Sequence, residues 1–527
     1  MVVLNEGLEA GSRRAEVLAA LSIAIDLGLG LPVEHVLRSS LVAAILAEEL
    51  DLSAEQRATI YYTNLVLWIG CHADSHEFSR WFGDDLAMRR DSYELDWAGL
   101  PYLRYVMQRA GSAESLPRRT QMRLTLALAP RARMAELIHS HCLSAGRMAE
   151  HIGLERAVGE AVERAYERWD GKGLPEGLRG EQIPVATRVV QLAETCEVHM
   201  RTHGVSDALA MARERSGKQF DPALVSALVR CRDRLDGLPN QDVWAQALEQ
   251  APDRDVLLRG ADLDSMLEAI GDFADLKCPF TIGHSRAVAE LAAAAASRVG
   301  LMSTEVTVVR RAALVHDVGR FGVANSVWEK TATLTESDSE RLRLYPYLTG
   351  RILNRVRGLE AVAGIAEAHR ERLDGSGYPN GTSGSALPMT QRILAAADSY
   401  RGSLEDRPHR PVMDPAQAAV RLRNEVAAGR LDPVAVDAVL AVAGHQSGRR
   451  TTGPSGLTPR EVEILGLLAR GFTSTEIARA LVISTKTVRN HLEHIYLKAG
   501  VTNRTSAALF AVEHGIVGRV KDEAAAP

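Results

Sequence analysis

The chain has 527 residues, 46% of them hydrophobic and 24% charged, with a net charge of -5; this is too long for one core, and about three domains are expected. No apolar run reaches the ~18 residues that a membrane span needs, and no signal peptide precedes Leu4-Asn5-Glu6, so a cytoplasmic location is expected and a membrane partner is not. Cys71, Cys142, Cys196, Cys231 and Cys278 are scattered without a CxxC pair, which argues against both a thiolate zinc site and a disulfide framework.

Aromatic residues make up only 5% of the chain, while Ala, Leu, Arg and Glu recur at helical spacing. That pattern predicts an all-α protein. In chain order, "HVLRSSLVAAILAEELDLS" from His35 aligns with "HSRAVAELAAAAASRVGLM" from His284, and each then runs 35 residues to a glycine, Gly70 and Gly319. Gly146 and Gly350 lie 24 residues before Asp170 and Asp374, and another 24 lead to Glu194 and Asp398. Near those aspartates stand the twin loops "ERWDGKGLPEGLRGEQIP" and "ERLDGSGYPNGTSGSALP". Three spacings kept in order indicate a tandem duplication of one helical domain, residues 1–250 and 251–442. The first copy carries about 45 extra residues between Gly70 and Gly146, expected to form helices of their own. The loops are rich in turn residues and on their own would read as connectors.

In the second copy the spacing gathers His284, His316, Asp317, His369 and Asp398, a set of imidazoles and carboxylates suited to Fe, Mn, Zn or Mg. His284, "HDVGR" (316–320), "HRERLDGSGYP" (369–379) and "AAADSY" (395–400) resemble the HD-GYP branch of the HD metal-dependent phosphohydrolases, over roughly residues 270–405. That resemblance implies an all-helical bundle that hydrolyses phosphate esters, the HD-GYP branch acting on cyclic di-GMP at a two- or three-metal centre. It assigns His284, His316, Asp317 and Asp398 as ligands of one divalent metal (Fe, Mn or Zn), with His369 as a possible further ligand. Asp317 and Arg320 are the catalytic pair it implies, Arg320 standing where the family usually has Lys and able to hold a phosphate oxygen. The chain departs from the family at Tyr345-Pro346, where His-Pro is expected, and at His369-Arg370-Glu371, where His-His-Glu is expected. It departs again at Phe280, where Glu is frequent. A multi-metal centre is therefore not expected, and a one-metal site stands beside the alternative of polar remnants hydrogen-bonded in a core.

The first copy has Leu67-Trp68 in place of His316-Asp317 and Ala165 in place of His369, while His35, His141 and Glu194 persist. It reads as scaffold, dimer surface or ligand pocket. His72, Asp74 and His76 in "GCHADSHEF" fall outside the motif frame and read as a loop-stabilising cluster.

Residues 443–455 are a Gly/Ser/Thr/Arg-rich linker. Beyond it, Gly456 to Lys521 holds nine Lys/Arg against five Asp/Glu, a basic module on an acidic body. Thr458-Pro459-Arg460-Glu461 has a capping-box layout, Gly471 ends that helix, Thr473 starts a second and Ser484 a third. With Val488 and Leu492 inward, Lys486, Arg489, Asn490 and Glu493 face outward as the second element of a helix-turn-helix. "LTPREVEIL", "EIARAL", "STKTVRNHLEHIYLKAGV" and "NRTSAA" resemble the LuxR-type DNA-binding domain over 456–518, a four-helix module. The resemblance implies that Arg489, Asn490 and Glu493 read bases, and that Lys486, Thr487 and Lys498 contact the backbone of double-stranded DNA.

The expected architecture is thus two tandem HD-type bundles followed by a LuxR-type reader at 456–521. The expected function is a homodimeric transcriptional regulator whose HD copies sense a ligand such as a nucleotide. Two alternatives stay open: a one-metal phosphohydrolase acting on a nucleotide such as cyclic di-GMP, and HD copies that serve only as dimer scaffold.

Overall fold

The computed structural model describes residues 11–514 and 516, apart from 73–74, 97–98, 113–114, 129–130, 239–241, 409 and 446–453. Most of the expected linker and residues 517–521 lie outside that set. The fold is all-α: among the described residues the only paired strands are Ser12–Arg13 and Leu257–Leu258, two residues each and antiparallel. No helix among these residues is long and apolar enough to cross a membrane.

The duplication is visible helix by helix. His35–Glu49 and Ala54–Val66 of the first copy correspond to His284–Val299 and Ser303–Val315 of the second. A short 3-10 turn follows in each, at Ile69–His72 and Val318–Gly322. Arg131–His151 and Val185–His203 then match Glu336–Leu353 and Met389–Ser403. The C-terminal half of helix Ser303–Val315 is buried in the core through Val308, Val309, Ala312, Ala313, Leu314 and Val315. Gly319 is required by packing, since a Cβ there would lie 2.0 Å from the Tyr345 carbonyl oxygen. The extra segment of the first copy is helical, including Ser75–Phe82 and Asp85–Ser92.

The twin loops share one internal scaffold. Glu167 Oε1 accepts from the amides of Glu176 and Gly177 at 2.8 and 3.0 Å, and Glu371 Oε1 accepts from Asn380 at 2.7 Å. Asp170 and Asp374 each accept from the amide two residues on, at 3.1 and 3.0 Å. A Cβ at Gly173 or Gly377 would come within 2.5 or 2.4 Å of a backbone nitrogen, so neither position tolerates a side chain. The loop is repeated because the fold needs it, whether or not its copy keeps metal ligands.

The two copies share one apolar core within a single compact unit, Met1–Ala443; Gly444–Pro527 forms the other unit. Helix Arg14–Leu29 packs on the 3-10 turn Val318–Gly322, and buried Glu16 accepts from the Arg357 amide at 2.9 Å. Asp85, from the extra segment, accepts from the Asn325 amide at 2.8 Å and lies 3.9 Å from Lys277 Nζ. Asp85, Lys277 and Asn325 are all fully buried.

Burial lowers the Lys277 ammonium from 10.5 to about 8; Asp85 opposes that shift, while Arg89 and Arg320 reinforce it. Between those values the unfolded chain holds a proton that the folded chain has released, so stability rises with pH. Relative to Lys277→Met, the wild type is expected to gain roughly 3 kcal/mol as pH climbs through that window. Denaturant titrations of both proteins check this, and parallel pH profiles would contradict it.

The C-terminal unit closes its own small core from Leu457, Ile464, Leu465, Leu468, Ile477, Val488, Ile495, Ala507 and Phe510. Its helices are Pro459–Ala469, Ser474–Ala480, Thr485–Ala499 and Arg504–Glu513. Thr458 and Thr473 form full capping boxes with Glu461 and Glu476, and Ser484 accepts from the Thr487 amide.

Candidate functional site

Three helices of the second copy bring the candidate ligands together. His284 opens helix His284–Val299, where Asp275 accepts from the Ser285 amide at 2.9 Å and sets the entry of the chain. His316 and Asp317 follow the last turn of Ser303–Val315, where Thr349 Oγ1 donates to the His316 carbonyl oxygen at 2.9 Å. Asp398 projects from the middle of Met389–Ser403. The ligand atoms of His284, His316 and Asp317 lie within 4.8 Å of one another. Asp398 Oδ1 stands 3.4 Å from His284 Nε2 and 3.8 Å from His316 Nε2.

Hydrogen bonds on the far side of each ring decide which nitrogen is open. His316 Nδ1 faces the Ala313 carbonyl oxygen at 2.7 Å, and a carbonyl only accepts, so Nδ1 carries the proton and Nε2 the lone pair. His284 Nδ1 likewise donates to Glu405 Oε1 at 2.7 Å, which turns Nε2 toward Asp317 and Asp398. His284 Nε2, His316 Nε2 and Asp317 Oδ1 are buried with no hydrogen-bond partner among the described residues. Two imidazole nitrogens and two carboxylates turned inward fit one borderline divalent ion.

Glu405 is the outer partner that orients His284, a residue the motif reading missed. It lies seven residues after Asp398 and two beyond the end of that helix at Ser403, where no motif marks it. Glu405→Ala is expected to weaken binding of Mn²⁺ or Zn²⁺ about 10- to 100-fold, measured by competition with a chelating dye.

Both carboxylates of the site are held ionised by the cationic groups around them. Burial acts against the charged carboxylate of Asp317, but His316, Arg320 and His284 outweigh it and hold the group far below the usual range. Asp398 is likewise held low against burial by Arg370, His284 and His316. Burial alone would lower His284; the carboxylate of Asp398, 3.4 Å from Nε2, and that of Glu405 overcome it and raise the imidazole to about 9. A metal therefore has to displace a proton there. Arg320 Nη1 donates to Asp317 Oδ2 at 2.8 Å, with its guanidinium 4.2 Å from the Trp328 ring centre.

His369 is brought beside the cluster, its Nε2 3.8 Å from Asp317 Oδ1. That nitrogen is 2.7 Å from the Tyr345 hydroxyl, which also accepts from Arg370 Nε at 2.6 Å. Burial, His316 and Arg370 push the His369 imidazole down to about 3, so the ring is neutral.

The same place in the first copy is filled by side chains that bond to one another. Trp68 Nε1 donates to Glu194, and His35 Nδ1 pairs with Glu197. Tyr93 packs edge-on against both His35 and Trp68, with ring centres 5.7 and 6.1 Å away. Burial drives Glu194 to about 8 and, against His35, Asp26 to about 8 as well, so both carboxyls are protonated at neutral pH. Asp26 repeats Asp275, accepting from the amide after the helix-opening His, and each stands nine residues before it. Ala165 is buried. The His141 and His72 side chains and Asp74 lie outside the described residues, and His76 Nδ1 sits 2.7 Å from Glu329 of the second copy.

In the C-terminal unit Val488, Leu492 and Ile495 are buried, which turns Lys486, Thr487, Arg489, Asn490 and Glu493 of helix Thr485–Ala499 to solvent. Lys498 is exposed too, and its Nζ meets Glu461 at 2.7 Å, across the helix pair.

The chain matches the family described as HD domain over residues 126–224 and 268–434, and the bacterial regulatory proteins of the luxR family over 455–511. It is 28% identical over 424 residues to 3'3'-cGAMP-specific phosphodiesterase 3 of Vibrio cholerae, spanning 80% of this chain and 92% of the relative. It is 36% identical over 158 residues to a cyclic di-GMP phosphodiesterase response regulator of Xanthomonas campestris, spanning 29% of this chain and 41% of the relative. The crystal structure of cyclic GMP-AMP-specific phosphodiesterase from V. cholerae superposes with a TM-score of 0.57 at 25% identity, covering 82% of this chain and 98% of that one.

Proposed function

This chain belongs to the HD-domain family and ends in a module of the luxR regulatory family; on that premise we propose a cytoplasmic DNA-binding regulator whose second HD copy holds one divalent metal and cleaves a cyclic dinucleotide. The observation that carries the reading is the convergence of His284 Nε2, His316 Nε2 and Asp317 Oδ1, all buried and unpartnered among the described residues, with Asp398 beside them. Iron, manganese or zinc suits that donor set, and such an ion, when bound, supplies a water of lowered pKa and a hold on phosphate. Arg320, braced by Asp317 and Trp328, offers its remaining donors to a phosphate oxygen. The V. cholerae relative that matches over most of its length is named for 3'3'-cGAMP, which supports a cyclic dinucleotide as the ligand class.

The C-terminal helices present Arg489, Asn490 and Glu493 in the manner of a major-groove reader, and dimers are expected to bind paired half-sites. The second reading makes the HD body a sensor that binds the nucleotide without turnover. Arg370, which pairs with Asp398 Oδ2 at 3.2 Å, favours it.

Incubating the full chain, purified without chelator, with 3',3'-cGAMP and with cyclic di-GMP separates the two. Linear dinucleotide that forms with metal and stops with chelator is expected. Binding without product would support the sensor, and absence of binding would remove both readings.

A further inference from the structure

We propose that Arg370 is the built-in second cation of this site: a fixed guanidinium that limits the centre to one metal and presents its exposed edge to the phosphodiester. The inference rests on the metal-centre reading above. The carboxylate of Asp317 faces two imidazoles, its Oδ1 lying 3.7 Å from His316 Nε2 and 3.8 Å from His369 Nε2. By position alone it suits a carboxylate shared between two ions. Only one of the two rings is open.

The direction of each hydrogen bond closes the other. A guanidinium has donors only, so the 2.6 Å contact from Arg370 Nε makes the Tyr345 hydroxyl an acceptor there. His369 Nδ1 lies 2.6 Å from the Ala366 carbonyl oxygen and must donate to it, which leaves Nε2 as the acceptor. The Tyr345 proton therefore points at His369 Nε2, 2.7 Å away, and uses the lone pair that a metal would need. The relay runs one way, Arg370 to Tyr345 to His369, held at one end by the Arg370 donor and at the other by the Ala366 carbonyl.

Charge completes the argument. Asp317 is paired with Arg320, Asp398 with Arg370 and Glu405 with Arg407, at 2.8, 3.2 and 2.6 Å. One divalent ion gives this balanced set a positive surplus suited to a phosphodiester, whereas a second would find no unpaired carboxylate among the three. Tyr345 and Asp398 are buried, while the Arg370 side chain keeps 29% of its surface exposed. Arg370 is thus the member of the relay within reach of an incoming anion.

The test uses the full chain as wild type, Arg370→Gln and Tyr345→Phe/Arg370→Gln. Elemental analysis after loading with Mn²⁺ is expected to give about one ion per wild-type chain and a second ion in the double variant, whose His369 Nε2 is released. In chelator-treated protein, cyclic di-GMP is expected to bind Arg370→Gln about tenfold more weakly, the loss of one charge-assisted contact. Two ions in the wild type, an unchanged count in the double variant, or undiminished nucleotide affinity in Arg370→Gln would each overturn the proposal. A wild-type chain that takes up no metal would instead sink the metal-centre reading, and this inference with it.

Discussion

Asp317→Ala is expected to reduce bound metal from about one ion per chain to near zero, and phosphodiester hydrolysis with it. The substitution removes Oδ1, a carboxylate oxygen of the site that is buried and has no hydrogen-bond partner among the described residues, and it also removes the partner of Arg320. These two losses have different signatures. Arg320 is nearly buried, and an uncompensated buried guanidinium costs about 3–5 kcal/mol. Asp317→Ala should therefore also unfold earlier in denaturant. Asp317→Asn keeps an oxygen to accept from Arg320 while losing the charge a cation needs, so it should retain more stability and still lose the metal. A folded Asp317→Asn protein that kept its full metal content would exclude Asp317 as a ligand. Unchanged turnover in either variant would exclude this site as the seat of hydrolysis.

Arg489→Ala is expected to cost about 1–3 kcal/mol of specific DNA binding, or roughly 5- to 150-fold, at fixed salt. Val488 and Leu492 anchor the buried face of the helix, so Arg489 lies on its solvent face and its loss leaves the small core intact. The discrimination lies in the comparison of targets. A base-reading arginine loses affinity for the selected duplex and little for a scrambled one, because phosphate contacts carry no sequence information. Lys486→Ala should weaken both duplexes alike. Fluorescence anisotropy with a duplex selected from a random library, beside its scrambled counterpart, measures this. Equal losses on both duplexes for Arg489→Ala would move Arg489 from base reader to backbone contact.

Spacing made much of the fold legible. The repeats of 35 and 24 residues announced a duplication, and Thr458, Thr473 and Ser484 announced helix starts, because capping is a local exchange of hydrogen bonds within four residues. What stayed hidden was set by residues far apart in the chain. Asp85 and Asn325 are 240 positions apart, and neither composition nor periodicity points from one to the other. The nine-residue step from Asp26 to His35 and from Asp275 to His284 was there to be seen, but a buried carboxylate holding a helix start carries no motif. Tyr345 and Arg370 read as plain losses of ligands; that they bond to each other and to His369 emerges only when 24 or 25 residues of chain are folded back. Lys498, expected on DNA by its motif position, also pairs with Glu461, 37 residues away, a contact that follows from the packing of two helices.

The shared core of the two copies has a genetic consequence. When a paired body is assembled from two identical chains, any substitution appears twice, and a site lost in one half is lost in both. Here the halves are joined covalently, so they remain paired at any dilution and cannot exchange partners. Trp68 was therefore free to occupy the place of an aspartate in one half while Asp317 stayed in the other. The degenerate half can never displace the intact one, nor can it be discarded: without its Asp85, Lys277 would lose the buried carboxylate that opposes the lowering of its ammonium.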